Sequence, residues 1–216
     1  MNRGGLGLVR IAVSGVVVLV AMLLSRPCAG AQELPAITND DLSGRVSGIA
    51  WNLTEGWRFT VNEDIRVMRL GVWDLSSDGL NTSHDVGLWD PAGNLLASGT
   101  VAAGTAGALV NDFRYVSITP VDLEAGHDYV IGALYVPSPM DDYIAGDSSN
   151  TFTSDPRITW NHCVRYSALP NAPLTFPTEE ANYAGAFGPN FTFTPEPATL
   201  ALVALGALGL LRRRKA

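Results

Sequence analysis

The stretch "HDVGLWDPAGNLLASGTV" constrains this chain more than any other, because it reads as a complete hairpin. Pro91 presets the φ angle of a type I turn, and Gly93 supplies a left-handed residue before a return strand starts at Leu95. The rest of the middle repeats the theme of short β-rich runs separated by turn residues. "WRFTVN" sets Trp57, Phe59 and Val61 on one face and Arg58, Thr60 and Asn62 on the other. "IRVMRLGVW" puts Ile65 and Val67 in one phase and Met68, Leu70 and Val72 in the other. Such a slip predicts a β-bulge or a strand covered on both faces. Further strands are predicted at Arg114–Thr119, Tyr129–Tyr135, Ile158–Trp160, Val164–Tyr166 and Phe191–Phe193. No long window between the two apolar ends sustains a helical period.

"LEAGHDY" adds a topological signal. Leu123, Gly126 and Tyr129 have the spacing of a tyrosine corner, in which a phenol bonds upstream backbone where the chain crosses between sheets. An ordinary turn ahead of an aromatic strand gives the same spacing. Together these features predict an all-β fold, a single antiparallel β-sandwich of jelly-roll type. Two long loops interrupt it: an acidic one between Val136 and Arg157, and a proline-rich one, "ALPNAPLTFPTEEANYAGAFGP". Loops of that length in a compact domain are often functional or mobile.

The two ends belong to a different kind of structure. Arg3 and Arg10 precede the uncharged run Ile11–Leu24, and Ala29-Gly30-Ala31 follows Pro27. A basic region, an apolar stretch and small residues at Ala29 and Ala31 spell a secretory signal peptide over residues 1–31, cleaved after Ala31. At the other end, Ala198–Leu211 is 14 uncharged residues followed by Arg212, Arg213, Arg214 and Lys215. As a helix it would be roughly 21 Å long, short of the ~30 Å of a hydrocarbon core. The cations would hold the C-terminus in the cytoplasm, with the domain outside. Pro195 and Pro197 stop the helix from extending backwards, leaving Glu196 in extended chain that a processing enzyme can reach.

Between these ends lies Gln32–Thr194, 163 residues, enough for one well-buried domain. It holds seven arginines, no lysine and 20 acidic residues, a formal charge of −13. Such a surface repels phosphates, which argues against nucleic acid as a partner. With Cys28 in the signal peptide, Cys163 has no partner for an intrachain disulfide.

Chemistry is sparse. His84, His127 and His162 fall in separate strand and turn contexts, and Cys163 directly follows His162, so the two point to opposite faces of a strand. No Gly-x-Ser-x-Gly and no His-Glu-x-x-His occurs. The expectation is a non-enzyme without a cofactor. Calcium is the candidate metal, since Asp141, Asp142 and Asp147, or Asp74 with Asp78, offer hard oxygen ligands on a secreted sandwich. For sugar stacking the candidates are Trp51, Tyr143 and Tyr183; Trp57 runs in phase with Phe59 and Val61 and belongs to the core.

The ending Pro195-Glu196-Pro197, apolar run and basic stub resembles the PEP-CTERM sorting signal of exopolysaccharide-producing Gram-negative bacteria, a tail also called an ice-binding-protein C-terminal motif. That resemblance implies recognition by an exosortase, removal of the tail and delivery to the cell surface or matrix, with a transient anchor in the inner membrane. A flat threonine array for ice is missing, so the second name concerns the tail alone. "LGVWD", the hairpin and "FRYVSITPVDLEAGHDYVIGA" make Trp57–Ala133 similar to the DUF4082 group of sandwich modules, which implies fold and location rather than chemistry. The expected protein is thus residues 1–31 as signal peptide, 32–194 as an extracytoplasmic β-sandwich and 195–216 as sorting segment. Its expected role is structural or adhesive, with exopolysaccharide-binding module as the alternative.

Overall fold

The computed structural model describes residues 32–39, 45–46, 49–146, 152–167, 172–180 and 185–195. The signal-peptide residues Ala29 and Ala31, the C-terminal helix, and the motif residues Glu196, Pro197, Arg212, Arg213, Arg214 and Lys215 lie outside them.

The strands are, in chain order, β1 (Leu34–Pro35), β2 (Ile37–Asn39), β3 (Arg45–Val46), β4 (Leu53–Val61), β5 (Ile65–Trp73), β6 (His84–Trp89), β7 (Leu95–Val101) and β8 (Ala108–Val110). They continue with β9 (Phe113–Leu123), β10 (Asp128–Tyr135), β11 (Tyr143–Gly146), β12 (Phe152–Ser154), β13 (Ile158–Ser167), β14 (Glu179–Glu180), β15 (Gly185–Ala186) and β16 (Pro189–Pro195). Two main sheets carry the fold, ordered β1-β16-β5-β9-β8 and β14-β13-β4-β10-β6-β7. Smaller sheets join β15-β11-β3 and β12-β2. Every pairing is antiparallel. The chain changes sheet at β4–β5, β5–β6, β7–β8 and β9–β10, and the two sheets form an antiparallel sandwich.

The alternation in the sequence translates directly into burial. Trp57, Phe59 and Val61 of β4 are fully buried and meet Phe191 and Phe193 of β16 across the inter-sheet core, while Arg58 and Thr60 are half-buried on the other face. The phase slip in β5 is a bulge. Val67 and Arg69 pair with successive partners on β16, Phe193 and Thr192, leaving Met68 as the extra residue; on β9 the register also shifts there, from Val121 to Ser117, and Ile65, Val67, Leu70 and Val72 are all buried. Met68 itself is half-buried, not a full member of the second phase. A second bulge, at Asn161, joins the two predicted strands into the single β13, and the Asn161 side chain reaches Thr60 Oγ1 at 3.0 Å.

The hairpin forms as its sequence predicts. Asp90 accepts the Gly93 amide at 3.0 Å, and Gly93 has φ +87°. The tyrosine corner also forms: the Glu124 amide donates to the Tyr129 hydroxyl at 3.0 Å as the chain leaves β9 for β10, with Gly126 at φ +78°.

The described residues of both long loops pack against the rest of the domain. The acidic one contains β11 and β12, each paired to an N-terminal strand. In the proline-rich one, Leu174 and Phe176 cover the outer face of the six-stranded sheet together with Trp89, Val130 and Val164. Gly56, Gly132 and Gly87 lie opposite one another on β4, β10 and β6, forming a trough on that face. The Trp89 ring lies over it, so a β-carbon at Gly87 would overlap the indole. The Ala172 carbonyl and the Thr175 amide fasten the loop to Asn52 and Thr54.

Candidate functional site: an acidic pocket over the crossover loops

The β5–β6 crossover and the start of the acidic loop meet at one end of the sandwich. They enclose a cavity of about 380 Å³ lined by Asp74, Asp78, Asn81, Asp141 and Asp142, among others. Two acidic groups named separately from the sequence therefore share one pocket.

One carboxylate of each group, Asp74 and Asp141, is buried and already engaged. Asp74 is 2% exposed. It accepts the Gly79 amide at 3.1 Å and the Arg114 Nε at 2.7 Å. The remaining donors of Arg114 go to the carbonyls of Thr105 and Gly107, at 3.2 Å each, and of Ser77 at 2.9 Å. One guanidinium thus ties two loop segments, the β5–β6 crossover and the β7–β8 loop, to the start of β9.

Asp141 is 6% exposed and receives the amides of Asn81 at 2.7 Å and Thr82 at 3.0 Å. Its third donor is His84, whose Nε2 lies 2.9 Å from Asp141 Oδ2 while Nδ1 lies 2.9 Å from the Leu134 carbonyl. Both ring nitrogens of a wholly buried imidazole thus face oxygen atoms of neighbouring elements. Burial alone would raise the Asp141 carboxyl. The bonds from His84, Asn81 and Thr82 and the charge of His84 outweigh it and hold the group below its ordinary value.

A carboxyl with a depressed folded-state value adds stability above the unfolded value, about 4, and loses it as pH falls through the folded one. Asp141→Asn should therefore cost roughly 1.5–3 kcal/mol near pH 7. It should also flatten the decline in stability below pH 4. Urea unfolding of both proteins across pH 7 to 3 checks this; parallel pH profiles would count against the assignment.

Where the other nominated residues fall is mixed. Asp142 lines the pocket, Asp147 lies outside the described residues, and Asp78 is exposed at the rim. Among the described residues no group of three His, Cys, Asp or Glu side chains is disposed to hold a metal ion. Trp51 is 48% exposed, as expected for a stacking residue. Tyr143 is not a surface residue: it is 4% exposed, packed against Tyr135 with ring centroids 5.0 Å apart, because β11 folds its loop back into the core. Tyr183 lies outside the described residues.

Cys163 is fully buried, and burial first, with Glu55 adding, pushes its thiol well above the ordinary range, so it presents neither a thiolate nor a surface for pairing between chains. His162 turns the other way, its Nε2 3.0 Å from Glu180. Pro195, the first residue of the tail motif, is the last residue of β16 and pairs with Ile65. The His84–Asp141 and Arg114–Asp74 pairs had no signature in the sequence.

Against protein-family models, residues 46–185 match a domain of unknown function, DUF4082, and residues 193–215 match the PEP-CTERM protein-sorting motif. No curated protein matches the chain.

Proposed function

We propose, on the premise that this chain belongs to the DUF4082 family, that it is a non-enzymatic structural or adhesive component of the bacterial cell surface. The observation that carries the reading is the sorting motif at residues 193–215, which implies handling by an exosortase and export to the surface. Its apolar run would hold the chain in the inner membrane only until processing. The engagement of Asp74 by Arg114 and of Asp141 by His84 favours a load-stabilised loop end over a reactive cleft, since these carboxylates are committed to internal donors. The intact mass of the protein recovered from its native host tests the itinerary. The expected product starts near Gln32 and lacks Arg212–Lys215; a surface protein still carrying Lys215 overturns it.

Exposed Trp51 favours a second reading, a module that stacks on exopolysaccharide. Retention of the protein on an array of bacterial glycans, lost in Trp51→Ala, would select that reading; an empty array would leave the structural role.

A further inference from the structure

We propose that two copies of this protein associate edge to edge through β7, joining their six-stranded sheets into one continuous sheet.

β7 ends its sheet, and among the described residues no strand pairs with its outer edge. At seven residues, "LLASGTV", it is a long edge, and it carries no charged residue and no proline. Those are the devices that ordinarily keep an edge from templating another strand. The opposite flank has both. There β14 is Glu179–Glu180, with Glu179 on Arg165 and Glu180 on His162, and β1 ends in Pro35. The contrast places the protection on one side of the sandwich and leaves the other bare.

Exposed apolar side chains follow the same division. Of the four large hydrophobic residues exposed among the described residues, Leu95 and Leu96 lie on β7 and Leu109 lies on β8, the terminal strand of the facing sheet. Between the two sheets on this flank runs a groove of about 350 Å³, lined by Leu95–Ser98 and by Ile118, Thr119 and Val121 of β9. None of its lining residues ionises.

Charge selects the occupant. A domain with seven arginines against 20 acids repels its own copies over most of its surface. Two copies can approach only along a neutral strip, and this flank provides one. A basic partner would be drawn to the acidic surfaces instead. Asp85 on β6 accepts a hydrogen bond from Thr100 Oγ1 at 2.6 Å.

The geometry is self-complementary. Leu96 is the bulged residue of β7, so the regular stretch is Ala97–Val101. Antiparallel pairing of this stretch about a two-fold axis at Gly99 sets Ala97 opposite Val101 of the second copy and Ser98 opposite its Thr100. Faces are preserved: Ala97 and Val101 continue the core side, while Ser98 and Thr100 form a hydroxyl pair on the outer side. The interface is isologous and closes as a dimer.

Sedimentation equilibrium of the processed protein over roughly 1–100 µM tests the proposal. The expected result is a reversible dimer, with Ser98→Glu weakening association tenfold or more by placing a carboxylate in the joined edge. Thr178→Glu adds the same charge near the opposite flank and should leave association unchanged. Hydrogen exchange of the unmodified protein supplies a second readout, with the amides of Ala97–Val101 slowing as concentration rises. A monomer throughout the range, a dimer indifferent to Ser98→Glu, or a dimer whose β7 amides exchange as they do in the monomer would each overturn it. The sorting itinerary is tested separately by mass, so either can fail alone.

Discussion

Arg114→Ala is expected to lower the stability of the domain by about 3–5 kcal/mol, the usual consequence of stranding one charge of a buried pair. The Arg114 and Asp74 side chains are 7% and 2% exposed and 2.7 Å apart, so the remaining carboxylate would keep only the Gly79 amide. The carbonyls of Ser77, Thr105 and Gly107 would lose their donor in the same step. Arg114→Lys should recover only part of the loss, because an ammonium lacks the fork that spans four acceptors. Replacing both members with apolar residues should cost less than either single change. Urea unfolding of the single and double variants measures this. A single-variant loss below about 1 kcal/mol would mean that the pair behaves as a hydrated surface bridge.

Trp57→Ala should be of comparable size, about 3–5 kcal/mol, by the cavity rule for large aromatic side chains. Trp57 sits in the centre of β4 with no exposed surface, its ring 5.0 Å from Phe59 and 5.9 Å from Phe191. Its Nε1 donates to the Pro189 carbonyl at 2.9 Å, so the indole also pins the start of β16 from the opposite sheet. Trp57→Phe keeps much of the volume but drops that bond, and should fall between the two. Chemical denaturation followed by the fluorescence of the remaining tryptophans gives the values. A Trp57→Phe variant as stable as the parent would show that the Pro189 bond adds nothing.

What the sequence disclosed was what local chemistry decides. Alternation placed Trp57, Phe59 and Val61 inside, Pro91 and Gly93 turned the hairpin, and the Leu123-Gly126-Tyr129 spacing foretold the corner. The phase slip in β5 announced its bulge, because one extra residue inverts every side chain beyond it. The same arithmetic misled at Asn161, where a single bulged residue made one strand read as two. Pairs that close over long distances left no trace. His84 and Asp141 are 57 residues apart and Arg114 and Asp74 are 40 apart, and each in isolation reads as a hydrated polar residue. Tyr143 was misplaced for a related reason: its loop is acidic and aperiodic, and only its pairing with Val46 brings it inside.

Pro195 closes β16, and β16 lies between β1 and β5 rather than at a border. Any tension applied at the C-terminal end of the domain would enter along the axis of that strand. All the rungs from Pro189 to Pro195 against β5 would then bear the pull together, in shear, instead of parting one after another like a zip. Glu33, bonded to both Arg69 and Thr192, straps the same corner. A pull that enters through an inner strand meets more resistance than one that enters through an edge strand.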